Sequence, residues 1–440
     1  MTRTLWTFVT LLLSASITSA AAAEEIKINY EEALVPKFEL PNPLISNDGT
    51  KVETAETWEK VRRPEVLELF QREMFGRLPE ALRKAGNHPD FVTFNLIESS
   101  ENAWHGKAIR KQVEIVFHAL DSDRTVKANL LIYLPKNAPQ PVPVFVGYNF
   151  LGNHTITDEK EIRLFHLRDG STPADDTNLS PGNERGFRMN RWSLDQILDA
   201  GYALATIHYM DVACDDASCM KTGVFSLYGK SDSSETRDGD EWGAITAWAW
   251  GMSRVMDYFE TDPQLDASRV AVMGHSRLGK TSLWTGATDP RFAVVISNDS
   301  GCGGAALSRR EFGETLLRIN TTFPYWFCKN FRNYNKNLDA LPIDEHELIA
   351  LMAPRPAYVA SAAEDLWADP FGEYQSCFFA VPVYSLYGAQ PFDGLSAPKH
   401  PAIHQPVGNV IGYHVRAGKH DVTDYDWEQY IKFADRFLKK

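Results

Sequence analysis

The sequence predicts an α/β fold: a mostly parallel central sheet with helices on both faces. Three observations carry that expectation. Short apolar runs recur at residues 142–148, 201–207, 270–273, 293–297 and 356–362, each too short for a buried helix and suited to a strand covered on both faces. Stretches of helical spacing separate them, as in repeated strand–helix–strand units. The chain of 440 residues is 44% hydrophobic and 12% aromatic, enough to fill a core on each side of a sheet.

The elements follow in order. Residues 24–60 are punctuated by proline, as in Leu40-Pro41-Asn42-Pro43, and predict irregular chain. Arg63-Pro64-Glu65 opens an amphipathic helix, because proline is tolerated in a first turn. Residues 112–117 alternate apolar and polar, and 128–134 and 142–148 follow as further strands. A helix is expected over 192–200 and a buried strand over 201–207. Trp242, Ile245, Trp248, Ala249, Met252 and Val255 fall at helical spacing within 241–259. A strand at 270–273, a helix at 281–288, strands at 293–297 and 356–362, and a helix at 427–438 complete the pattern. The expected division is residues 1–23 as a leader, 24–110 as an N-terminal extension packed on the core, and 111–440 as the catalytic domain.

The leader sets the expected compartment. Arg3, the apolar run at residues 5–13 and the small residues Ser19-Ala20-Ala21-Ala22-Ala23 precede Glu24-Glu25. That order reads as a cleavable export signal, so a secreted or periplasmic protein is expected. No later segment reaches the roughly 18 continuous apolar residues of a membrane span, and the mature form is expected to be soluble and monomeric. A net charge of −13 argues against binding nucleic acid by neutralising phosphate. Eleven tryptophans, 16 tyrosines and 24 phenylalanines suit both a core and stacking on sugar rings. Five cysteines in an exported chain are a mild disulfide signal, with a local Cys214–Cys219 bridge expected. They form no CxxC pair, and neither metal nor cofactor is expected.

The sharpest motif is Val270-Ala271-Val272-Met273-Gly274-His275-Ser276-Arg277-Leu278-Gly279-Lys280. An apolar strand runs into Gly-His-Ser and a helix begins at once. A tight turn there lifts the serine hydroxyl above the sheet beside a helix N-terminus, as a nucleophile requires. In the α/β-hydrolase fold, the expected fold class, an acid and then a histidine follow the serine in the chain. His420, in Ala417-Gly418-Lys419-His420-Asp421 before the last helix, is the expected base, with His414 and His404 as rivals. Asp299 and Asp365 each follow a strand and compete as the orienting acid, Asp365 holding the more usual position.

These residues, with Asn298-Asp299-Ser300-Gly301-Cys302-Gly303-Gly304, Asn149-Phe150-Leu151-Gly152-Asn153-His154-Thr155 and Leu351-Met352-Ala353-Pro354-Arg355-Pro356, resemble the glucuronoyl esterases, carbohydrate esterase family 15, in their bacterial branch. The resemblance runs from about Arg63 to the C-terminus. It implies hydrolysis of the ester between 4-O-methyl-glucuronic acid on glucuronoxylan and a lignin alcohol. It implies Ser276 as nucleophile, His420 as base and Arg277 as an oxyanion stabiliser. Lys280, Glu314 and Trp367 would bind the sugar. The chain departs from fungal members at His275, where they have a cysteine in a disulfide, and at Asp299, where they have a glutamate. The latter favours Asp365 as the acid, with Asp299 as an auxiliary. Two other readings stay open: another exported serine hydrolase, such as an acetyl-xylan esterase or a peptidase, and a glycan-binding relative without turnover.

Overall fold

The protein is described here from a computed structural model covering residues 27–85, 91–165, 176, 179–390, 392 and 398–439. The expected leader, residues 1–23, lies outside them. Ten strands form one sheet: β1 (Val92–Ala103), β2 (Ala108–His118), β3 (Thr125–Pro135), β4 (Val142–Asn149), β5 (Ala203–His208), β6 (Leu265–His275), β7 (Val294–Asn298), β8 (Ala357–Ala362), β9 (Val407–Gly408) and β10 (Ile411–Arg416). Their spatial order is β1-β2-β3-β5-β4-β6-β7-β8-β10-β9. From β5 through β10 the neighbours are parallel, while β1, β2, β3 and β9 pair antiparallel at the two ends.

The parallel strands are buried on both faces because each alternates between two cores. Val270 and Val272 of β6 enter one core, and Ala271 and Met273 enter the other. Ala357 and Val359 of β8 face the first, Tyr358 and Ala360 the second. Helices α1 (Arg63–Phe70), α2 (Ala244–Phe259) and α3 (Arg277–Thr288) supply the first core, and α5 (Asp424–Leu438) the second. Helix α4 (Pro370–Ser385) begins just after the segment bearing Asp365 and Trp367.

Several boundaries differ from expectation for physical reasons. Helix α2 starts at Ala244, not 241, since Gly243 has extended backbone at φ −94 and ψ 176; it is pressed against the Trp326 carbonyl, where a Cβ would lie 2.2 Å from the oxygen. Helix α5 starts at Asp424, not 427, because Thr423 and Asp426 form a reciprocal capping box. Strand β1 has no counterpart in the sequence reading: it is an edge strand whose outward residues are exposed, so it shows no apolar run. The expected domain boundary at 110 falls inside β2.

The expected Cys214–Cys219 bridge is corrected by the structure, in which all five cysteines are free and buried. The Cys214 thiol is held by hydrogen bonds from Cys219 and from Thr222 Oγ1, the latter at 3.0 Å. Those bonds lower its pKa to about 7. Among the described residues no helix is long and apolar enough to cross a membrane.

Candidate active site

Ser276 sits at the turn between β6 and α3 with φ 59 and ψ −130, a backbone region that costs a non-glycine residue on the order of 1–3 kcal/mol. The glycines around it explain how the turn closes. A Cβ on Gly274 would lie 1.9 Å from the Leu278 carbonyl oxygen, and one on Gly279 2.9 Å from Ser300 Cβ. Gly279 therefore serves close packing of α3 on the following loop. The Ser276 N–H donates to Asn298 O at 2.8 Å, tying the turn to β7. Arg277 is the first residue of α3, so its N–H belongs to the helix-end donors without an intrahelical acceptor.

His420 stands in the loop after β10, with its side chain 40% exposed. Its Nδ1 lies 2.5 Å from Asp365 Oδ2. Its ring packs at 4.3 Å, centroid to centroid, on His275, the residue before Ser276. Arg416 fixes the loop: it donates to the carbonyls of Lys419 at 3.0 Å and Asp421 at 2.5 Å, on either side of His420. His275 is buried, with Nδ1 2.6 Å from Asn298 Oδ1. Burial, then the charges of His420 and Arg191, push its pKa well down, so it stays neutral. The rival His414 is enclosed between the Tyr358 hydroxyl and Asp426, each at 2.9 Å. His404 Nε2 accepts the Ala417 N–H at 3.2 Å.

The two candidate acids occupy different environments. Asp365 faces the imidazole. Asp299 is buried beneath it: Oδ1 accepts the Ala362 N–H at 2.7 Å and Oδ2 lies 3.5 Å from the Arg416 guanidinium. Burial raises the pKa of Asp299 well above the carboxylate range, and the charges of Glu373 and Asp365 add to the rise. Glu373, also buried, accepts the N–H groups of Ser300 at 2.7 Å and Gly301 at 3.0 Å and the hydroxyl of Ser361 at 2.5 Å. Ligand-type atoms of Asp299, Asp365 and His420 lie within 4.8 Å of one another. That spacing can suit a cation, but His420 Nδ1 is already taken by Asp365.

On the other side of Ser276 the Arg277 guanidinium pairs with Asp215. It lies over Trp326 at 4.8 Å, with Phe323 at 5.6 Å and Phe150 at 5.8 Å. Trp326 Nε1 donates to the same Asp215 at 2.6 Å. Lys280 is buried, and its ammonium donates to Ser300 O at 2.5 Å, Cys302 O at 2.7 Å and Glu314 Oε2 at 3.0 Å. An ammonium has three N–H donors, so all three have protein acceptors. Trp367 is half-buried, and its carbonyl accepts the Glu314 N–H at 2.8 Å. The expected site residues thus form two groups flanking the Ser276 turn. Sequence reasoning missed Asp215, Trp326 and Glu373. Asp215 had a signal, since it lies in the Asp-rich Cys214–Cys219 loop.

Comparisons with known proteins agree with this arrangement. A family model described as glucuronyl esterase, fungi, matches residues 187–388. The chain is similar to the solved structure of a promiscuous esterase of carbohydrate esterase family 15 from a marine bacterial metagenome. Identity is 48%, with 93% of this chain and 100% of that chain covered and a TM-score of 0.81. A glucuronoyl esterase from Solibacter usitatus is 42% identical over 93% of this chain and 100% of that one, with a TM-score of 0.82. The 4-O-methyl-glucuronoyl methylesterase 1 of Wolfiporia cocos is 28% identical over 412 residues, 91% of this chain and 80% of that protein.

Proposed function

The chain belongs to the glucuronoyl esterases, carbohydrate esterase family 15, and on that premise we propose that it hydrolyses esters of glucuronic or 4-O-methyl-glucuronic acid on glucuronoxylan with lignin alcohols, through an acyl-enzyme on Ser276. The observation that carries the site assignment is the Asp365–His420 pair, 2.5 Å apart and packed on the neighbour of a strained Ser276. In this mechanism His420 Nε2 takes the proton of the Ser276 hydroxyl as the oxygen attacks the ester carbonyl. Asp365 holds Nδ1–H, which fixes the tautomer and stabilises the imidazolium. The oxyanion forms beside the Arg277 N–H and guanidinium, donors worth about 10²–10³ in rate each. His420 then gives its proton to the leaving alcohol and activates the water that releases the acid.

The ester has no carboxylate charge, so the sugar is held by hydrogen bonding and stacking. Glu314, oriented by Lys280, and Trp367 support that role. Since every ammonium proton of Lys280 is engaged, its contribution is to aim Glu314 and hold the Ser300–Cys302 loop. Export of a monomer cleaved near Ala23 completes the proposal. Turnover of a benzyl glucuronate ester compared with phenyl acetate tests it: the glucuronate ester should be preferred. Preference for the acetate would favour an acetyl-xylan-type esterase.

A further inference from the structure

The chain preceding the first helix reaches back to the sugar side of the site. It has three separate attachments to the loop bearing Glu314, and one of them continues to the segment bearing Trp367. Asn29 O accepts the Gly313 N–H at 2.8 Å. The Tyr30 ring stands edge-on to Phe312, with centroids 6.3 Å apart and planes at 86°. Glu32 accepts a two-bond fork from Arg310 at 3.0 and 2.7 Å. Arg310 is buried and also forks Asp369, two residues past Trp367, at 2.7 and 3.2 Å. Phe312 and Phe371 lie against its guanidinium at 5.7 and 5.1 Å.

One planar cation therefore ties the N-terminal arm, the loop of Glu314 and the turn of Trp367. Arginine suits this, because its fork fixes the direction of each carboxylate as well as the distance. Both loops carry a non-glycine residue in the left-handed region, Glu311 at φ 47 and Asp369 at φ 52. Such conformations persist where the surroundings over-determine them. Asp369 already supplies Arg310 with one buried counter-charge, and the Glu32 side chain is 55% exposed. What Glu32 adds is a fixed direction for Arg310.

We propose that Glu32 is a positioning residue for substrate recognition: the Glu314 N–H to Trp367 carbonyl bond joins the two segments, and through Arg310 Glu32 anchors the joined pair to the N-terminal arm, which forms an outer support of the uronate subsite. This rests on the glucuronate reading of the site. Contacts to a non-reacting ring are made equally in ground and transition states, so their loss appears in KM and not in kcat. Glu32→Ala and Glu32→Gln should be assayed with benzyl glucuronate, with a thermal melt of each. Glu32→Ala should raise KM about two- to fivefold, the scale of a half-exposed ion pair, with kcat within about twofold. Glu32→Gln keeps an acceptor for Arg310 and should recover part of the loss. A fall in kcat with KM unmoved, or no change in either, overturns the inference. Wild-type protein inert on benzyl glucuronate would instead sink the functional reading, and this inference with it, before any arm variant is made.

Discussion

Asp365 and Asp299 lie close to one imidazole, and their surroundings separate their roles. Asp365 bonds His420 Nδ1 directly, whereas Asp299 spends one oxygen on Ala362 N–H and faces Arg416 with the other. Asp365→Ala should lower kcat by up to about 10⁴, the cost of a misoriented imidazole. Asp299→Ala should cost less in kcat and more in melting temperature, because it leaves the buried Ala362 N–H without its acceptor while Arg416 keeps Asp426 at 2.8 Å. Steady-state kinetics on both variants decide it, and a larger kcat loss from Asp299→Ala would reverse the assignment. Glu373 gives a second test. Burial pushes its pKa up to about 7, so the folded state holds this proton more tightly than the unfolded chain. Its contribution is fully present below the ordinary carboxylate value of about 4 and is lost as pH rises through about 7. Glu373→Gln removes that titration, so its melting temperature should fall less than wild type between about pH 5 and about pH 8; equal slopes would contradict the assignment. Ser276, His420 and Asp365 were legible because each follows a strand end closely and carries a recognisable residue type. Glu373 was not, since it lies inside helix α4 with no motif around it, and the loop that marked Asp215 gave no sign of its pairing with Arg277.

The β6–turn–α3 unit delivers Ser276, and Gly274 makes it possible. Any Cβ at Gly274 would meet the Leu278 carbonyl at 1.9 Å, a backbone contact that cannot swing aside. Gly274→Ala should therefore lower the melting temperature and remove most turnover together, and a variant with wild-type kinetics would show that the turn does not depend on close packing. The parallel strands were readable because burial on both faces leaves continuous apolar runs. Strand β1, half solvated, left none. The start of α5 was also readable in principle, from the Thr423–Asp426 capping box, but the apolar spacing begins only at Trp427. The Cys214–Cys219 spacing suggested a bridge where the structure has free thiols, Cys214 being hydrogen-bonded to Cys219, Thr222 and Asp216. Spacing alone does not report how a loop turns its side chains.

Across the whole molecule, a sheet covered on both faces brings three segments together at one end. The segment between β8 and α4 carries both Asp365 and Trp367, so it meets His420 in the loop after β10 on one side and Glu314 in the loop after β7 on the other. The charged, apolar and small-residue order of residues 1–23 predicts that the protein recovered from its native host starts near Glu24. Intact-mass measurement retaining Met1 would contradict export by cleavage. The central claim is covalent esterolysis at Ser276. Its most direct measurement is the kcat of Ser276→Ala against wild type on benzyl glucuronate, with a melt confirming that both are folded. The account predicts a loss of several orders of magnitude; a folded variant retaining more than about a tenth of wild-type turnover would contradict it.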